Sequence, residues 1–435
     1  MPWHVIAQLG PDDYQPVIAQ AEPRFVATID KPGSEHSVTQ QLLSGVFEKG
    51  FIPSEAAIDL AHLAAIVYTA DLRVWRGYGE EAWSRDIMLH IPVEQPDLWN
   101  SATPILAELL SFLTGDTWSV RFRKKVPGKE VAAGEGTLVP PKAVCLFSGG
   151  LDSFVGAIDL LSSGANIALV GHYGNKRDQA AAAFDTLKPT FEAQMLPFWF
   201  YLVPPKMNKD QIVESTMRAR SLLFLSLGTA VASALASGTP LYIPENGPIS
   251  LNVPLTFGRA GTHSTRTTHP HTIDLFRRLL AALGINVALC TPYRFLTKGE
   301  MLRDCKDQTA LKSGVHTTMS CSSPQAGRFH HRPVGQHCGY CVPCIIRRAA
   351  LHAVGLDCEP HHLDVLDSSI RANTPAGCDK RAFLMAITRV GQMTPLEVTG
   401  ELLSAGPIDN LKIDDLTAVF RRGLQEVERF FKSQP

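Results

Sequence analysis

AVCLFSGGLDSFVGAIDLL, residues 143–161, decides how this chain is read. Ala143–Phe147 is a short apolar strand and Ser153–Leu161 a helix, and Ser148-Gly149-Gly150-Leu151-Asp152-Ser153 joins them directly. Two glycines let the backbone turn tightly and approach an anion with no side chain between them. The amides of the first helical turn then face that anion, assisted by the helix dipole. Ser148 and Ser153 offer hydroxyl donors to phosphate oxygens. Asp152 would repel phosphate directly, so it is read as a magnesium ligand or as the group that orients the loop. A plain glycine turn with Asp152 and Ser153 as helix caps would explain a bare Gly-Gly pair, but not the full string between a strand and a helix. The Lys-Ser/Thr pair of a Walker A loop is absent.

Outward from this stretch the chain alternates strand and helix. Ile167–His172 is a second strand, and its terminal His172 joins the candidate nucleotide-binding set. A polar helix from about Arg177, a strand at Phe198–Val203 and a long helix at Thr216–Ala236 follow. Leu241–Ile243, the helix His271–Leu283 and the strand Asn286–Leu289 continue the pattern. Repeated βα units with apolar strands imply an α/β fold with a parallel sheet covered by helices on both faces. Residues 1–140 carry no motif, but Ser54–Tyr68 and Leu106–Leu113 are spaced as helices, and Asp86–Val93 and Trp118–Arg123 as strands. This segment reads as an α+β region that ends in the Gly- and Pro-rich stretch Val126–Lys142. Residues 141–356 form the central domain, and 357–435 a helical extension closed by an amphipathic helix near Leu416–Phe431.

Cys338-Gly-Tyr-Cys341-Val-Pro-Cys344 places three thiolates at C-x2-C-x2-C spacing, with Cys321 upstream. Four thiolates complete a tetrahedral zinc ion and leave no position for a water nucleophile, so the site is read as structural. A redox pair and an iron–sulfur cluster use the same residue type, and His330, His331 or His337 is an alternative to Cys321 as fourth ligand. The other five of nine cysteines, Cys145, Cys290, Cys305, Cys358 and Cys378, read as packing or surface residues.

Lys+Arg 41 against Asp+Glu 42 gives a formal charge of −1 over 435 residues, so no broad nucleic-acid surface is expected. The longest apolar run, Ser221–Ala236, is short for a membrane span and is read as a buried helix. With no basic-then-apolar segment at the N-terminus, the expectation is a cytoplasmic protein without a membrane partner.

The phosphate loop, the cysteine cluster and the βα pattern between them resemble the PP-loop ATP pyrophosphatases, and within them the QueC-like branch, 7-cyano-7-deazaguanine synthase. Thr297-Lys298-Gly299-Glu300 resembles that family's TK-x-E segment, whose lysine lies near the phosphates. Arg220 occupies the place of a family phosphate contact. The resemblance covers about residues 143–356 and implies a Rossmann-like (HUP) sheet with ATP, Mg²⁺ and Zn²⁺ as cofactors. Asp152, Lys298 and Arg220 then carry catalysis. Ser148, Gly149, Gly150, Leu151, Asp152, Ser153 and His172 hold the nucleotide, and Cys321, Cys338, Cys341 and Cys344 hold the metal.

The implied chemistry is adenylation of a 7-carboxy-7-deazaguanine-like carboxylate, release of pyrophosphate and transfer of the acyl group to an amine. A QueC-like core enlarged at both ends resembles a component of bacterial anti-phage defence operons. The amine is then ammonia or belongs to a co-encoded partner protein docked on residues 1–140. Two departures stand out: the gap from Cys321 to Cys338 exceeds the family's usual one, and Pro244–Asn252 does not match the nitrile-synthase pattern. Glu245 and Asn246, in the latter segment, are assigned to a purine edge or a metal, with a polar turn as the alternative. Two other functions compete. A PP-loop tRNA-modifying enzyme would call for a basic RNA surface and redox cysteines, which the charge and the four-thiolate pattern disfavour. A non-catalytic nucleotide-binding scaffold would not need the intact loop, Lys298 and Arg220.

Overall fold

The computed structural model describes residues 1–433 apart from 11, 14–15, 30–35, 79–81, 127–133, 135–138, 174–176, 207–213, 215–217, 257–265, 325–327, 329–332 and 334. Most of the expected boundary Val126–Lys142, together with His330 and His331, lies outside the described residues.

The N-terminal elements are β1 (Trp3–Leu9), β2 (Arg24–Ile29), β3 (Thr39–Gln41), α1 (Ser44–Phe47), α2 (Glu55–Arg73), β4 (Asp86–Val93), α3 (Pro96–Thr114) and β5 (Thr117–Lys124). The central ones are β6 (Ala143–Leu146), α4 (Leu151–Leu161), β7 (Ile167–Tyr173), α5 (Arg177–Phe191), β8 (Met195–Val203), α6 (Arg220–Ala234), β9 (Pro240–Tyr242), α7 (Gly247–Leu251), α8 (Pro270–Ala282), β10 (Ala288–Cys290), α9 (Lys298–Arg303), α10 (Gln308–Gly314) and α11 (Val342–Ala353). α12 (Pro375–Gln392), α13 (Pro395–Ala405) and α14 (Ile413–Phe431) make the helical C-terminal extension.

The central sheet runs β10-β9-β6-β7-β8-β3, parallel throughout except for its edge strand β3, which pairs antiparallel with β8. Alternate residues of its strands enter different cores. Val144, Leu146, Ala168 and Val170 join α6 and α8 on one face, while Ala143, Cys145, Ile167 and Leu169 join α4 and α5 on the other. Helices on both faces and a parallel sheet define a Rossmann-like α/β architecture. Strand order reverses between β6 and β9, and the crevice at such a switch point is where open α/β sheets bind ligands.

The first 140 residues differ from the α+β expectation. Their sheet, β2-β1-β4-β5, is wholly parallel, and β3 leaves it to extend the central sheet. α2 and α3 are sandwiched between this sheet and the helices α6 and α8, so both sheets share one apolar core. α6 is apolar on every face because it is covered on every face. Polar contacts tie the same seam: Asp71 of α2 accepts from the Ala219 amide at 2.9 Å, at the start of α6. Fully buried Arg85 pairs with Asp71 at 2.7 Å and with Asp116 at 2.6 Å. Among the described residues, no helix is long and apolar enough to cross a membrane.

Candidate functional site

The loop between β6 and α4 turns on Gly149, whose φ of +77° is open to glycine at little cost. A Cβ there would also lie 2.6 Å from the Ala180 Cα of α5. Gly150 is extended and serves as the N-cap of α4 with no side-chain cap. Around it Ser153 Oγ donates to the Gly150 carbonyl at 2.9 Å, and the Gly150 amide donates to Ser148 Oγ at 3.3 Å. A second segment backs the loop: the Met319 amide donates to the Gly149 carbonyl at 2.9 Å.

Asp152 turns across the switch-point crevice. Its Oδ1 accepts from Lys298 Nζ at 2.5 Å, and its Oδ2 from Asn246 Nδ2 at 2.6 Å and from the Asn246 amide at 3.3 Å. Asn246 in turn caps α7 by accepting from the Ile249 amide at 3.2 Å. One carboxylate thus joins the loop after β6, the turn after β9 and the start of α9. Both of its oxygens are engaged. Glu245, beside Asn246, accepts from the Thr268 hydroxyl. Burial, with the Asp152 charge adding, pushes its carboxyl up to about 7 against the pull of Thr268 and Lys298.

Arg220 and His172 belong to a cluster at the end of β7 and the start of α6. The Arg220 guanidinium lies over the Phe224 ring, 5.2 Å from its centroid. His172 meets Tyr68 and Phe224 edge-on, at 5.8 and 5.6 Å between centroids. Burial and then the Arg220 charge hold His172 down at about 3, so it is a neutral imidazole. Within the described residues the two sit in an aromatic cluster at the β7 side of the sheet. The structure brings Asp152, Lys298, Glu245 and Asn246 together with the loop, and packs Arg220 and His172 with Tyr68 and Phe224 at the end of β7, the strand beside β6.

The four sulfur atoms of Cys321, Cys338, Cys341 and Cys344 lie within 4.8 Å of one another, with Cys321–Cys341 at 3.9 Å and Cys338–Cys344 at 3.8 Å. A tetrahedral ion with metal–sulfur bonds of about 2.3 Å sets its ligands about 3.8 Å apart, so the cluster fits such an ion. Hydrogen bonds from neighbouring thiols, led by Cys338 for Cys321 and by Cys321 for Cys341, hold these two below the ordinary thiol range. Gly339, at φ +86°, makes the turn between ligands where a Cβ would strike the Leu363 carbonyl at 2.2 Å. Cys341 stands at the N-cap of α11, and Cys344 in its first turn.

This cluster is wired to the loop by His337, which the sequence offered only as a ligand, and by Ser320 and Arg347, which it did not flag. His337 Nε2 accepts from the Ser320 amide at 3.2 Å, one residue before Cys321. Ser320 Oγ lies 3.5 Å from the Leu151 amide at the head of α4. Fully buried Arg347 braces the same segment, donating to Thr318 Oγ1 at 2.7 Å and to Glu359 at 2.6 Å. His337 is thus a link between segments and not the fourth ligand. Only the adjacency of Ser320 to Cys321 hinted at this connection.

Compared with protein-family models and with curated proteins, the chain matches none.

Proposed function

We propose that this protein is an ATP-consuming adenylating enzyme of the PP-loop class that activates the carboxylate of a 7-deazapurine. The observation that carries the reading is the Ser148–Ser153 loop at the switch point of a parallel sheet, with Lys298 held beside it by Asp152. A carboxylate oxygen attacks the α-phosphorus of ATP, the bond to the β-phosphate oxygen breaks, and pyrophosphate leaves. The loop amides and Lys298 offset charge on the departing phosphates, and Mg²⁺ supplies further neutralisation when bound. An amine then displaces AMP from the acyl-adenylate. In this reading Glu245, whose carboxyl burial pushes up to about 7, takes the proton that the attacking amine sheds. Zinc on the four cysteines is structural and steadies the 319–321 segment behind the loop. The amine is ammonia or a group on a co-encoded partner, in the anti-phage setting that the resemblance implies.

ATP–pyrophosphate exchange tests the reading. Exchange should require 7-carboxy-7-deazaguanine or a close analogue, and Lys298→Ala should abolish it.

A further inference from the structure

The C-terminal extension carries no motif and stands outside the resemblance, yet one of its side chains reaches the head of α9. Glu426, in the middle of α14, is buried, with 5% of its surface exposed. Its Oε2 accepts from Thr297 Oγ1 at 2.7 Å, and both carboxylate oxygens lie 3.1 Å from the Gly299 amide. Thr297 and Gly299 flank Lys298. The fit is close enough that a Cβ on residue 299 would meet Glu426 Oε2 at 2.3 Å. A second clamp lies beside it: Arg422 of α14 donates to Glu300 at 2.7 Å, and Glu300 closes a capping box with Thr297.

While α11 and α4 pack against α9, two side chains of α14 hold its first turn from the other side. Helix α9 spans only Lys298–Arg303, too short to hold its own geometry in isolation. A buried carboxylate without partners would be costly, so the three donor contacts bind both sides of the seam together. Lys298, 6% exposed, extends toward Asp152 and the loop.

From this we infer that Glu426 is a positioning residue: the C-terminal extension completes the nucleotide site by fixing the backbone on either side of Lys298. The inference rests on the reading of Lys298 as a group that acts at the phosphates.

Two readouts on the full-length, metal-loaded chain test it: pyrophosphate exchange, and labelling of individual lysines by an amine-reactive reagent followed by mass spectrometry. Glu426→Ala should raise Lys298 labelling several-fold while exposed Lys142 stays unchanged. It should also lower kcat for exchange about a hundredfold, the order expected for a group displaced by about 1 Å, with a smaller effect on KM for ATP. Glu426→Gln keeps an acceptor oxygen at the same reach, so it should recover much of the loss; it also serves if the alanine variant does not fold. Wild-type Lys298 labelling with exchange within about twofold of wild type in Glu426→Ala would overturn the inference, as would a Glu426→Gln variant that loses exchange about a hundredfold while Lys298 labelling stays at the wild-type level. Exchange retained in Lys298→Ala would instead overturn the reading of the site.

Discussion

Replacing Glu245 with Gln should make the protein more stable than wild type as pH rises, by an amount the site's geometry sets. In the folded chain the carboxyl is pushed to about 7, chiefly by burial and then by the neighbouring Asp152 charge, against an ordinary value of 4.5. Below pH 4.5 both states hold the proton and the shift costs nothing. Between 4.5 and 7 the unfolded chain gives up a proton that the folded chain keeps, so stability falls as pH rises through that window. Above 7 the loss is complete. At 1.36 kcal/mol per unit the cost is about 1 kcal/mol at pH 5 and about 3 kcal/mol at pH 8. Glutamine keeps an acceptor for Thr268 and does not titrate, so subtracting the two proteins isolates this one group. For a chain of this length unfolding as one unit, the melting-temperature difference should widen in the variant's favour by about 2–3 °C from pH 5 to pH 8. Differential scanning calorimetry on both proteins across that range makes the measurement. A difference that stays flat, or that favours wild type at high pH, would refute the reasoning.

Two further outcomes follow from the cluster and the shared core. Cys341→Ser should lose the bound metal, about one zinc per chain by elemental analysis, and much of its solubility, because closed four-thiolate sites couple metal to folding; iron in the wild-type protein would contradict the zinc assignment. Removing residues 1–140 should leave a chain that aggregates and lacks a cooperative transition. Each large apolar side chain of α6 and α8 left uncovered costs about 1.5–3 kcal/mol, so a handful equals a typical net stability of about 5–15 kcal/mol. A truncated chain that melts like wild type would show the seam to be dispensable.

The central domain was legible in the sequence because its signals are local. Apolar strands, the Gly149-Gly150 turn and the spacing of Cys338, Cys341 and Cys344 each need only a few neighbouring residues. Thr297-Lys298-Gly299-Glu300 was read for its lysine alone, and the capping box that starts α9 emerges in the structure. What stayed hidden depends on distant pairing. β3 is three residues, Thr39–Gln41, with no alternation to read, and only its partner β8 makes it a strand. The apolar surface of α6 identified a buried helix without saying that α2 would cover it. Glu426 looks like any polar residue in an amphipathic helix until the Gly299 amide, 127 positions away in sequence, is seen against it. Arg220 was read from its place in the motif order alone, and its contact with Phe224, beside His172 at the end of β7, could be seen only in the fold.

The central claim is that the Ser148–Ser153 loop adenylates a carboxylate, and exchange of radiolabelled pyrophosphate into ATP tests it most directly. With 7-carboxy-7-deazaguanine present, the wild-type chain should exchange label into ATP, and omission of the carboxylate should stop it. Asp152→Ala should also stop it while keeping its metal and its melting transition, because Asp152 orients the loop and Lys298 without belonging to the apolar core. Label that fails to enter ATP with folded, metal-loaded wild-type protein and a panel of deazapurine carboxylates would contradict the account, as would undiminished exchange in Asp152→Ala.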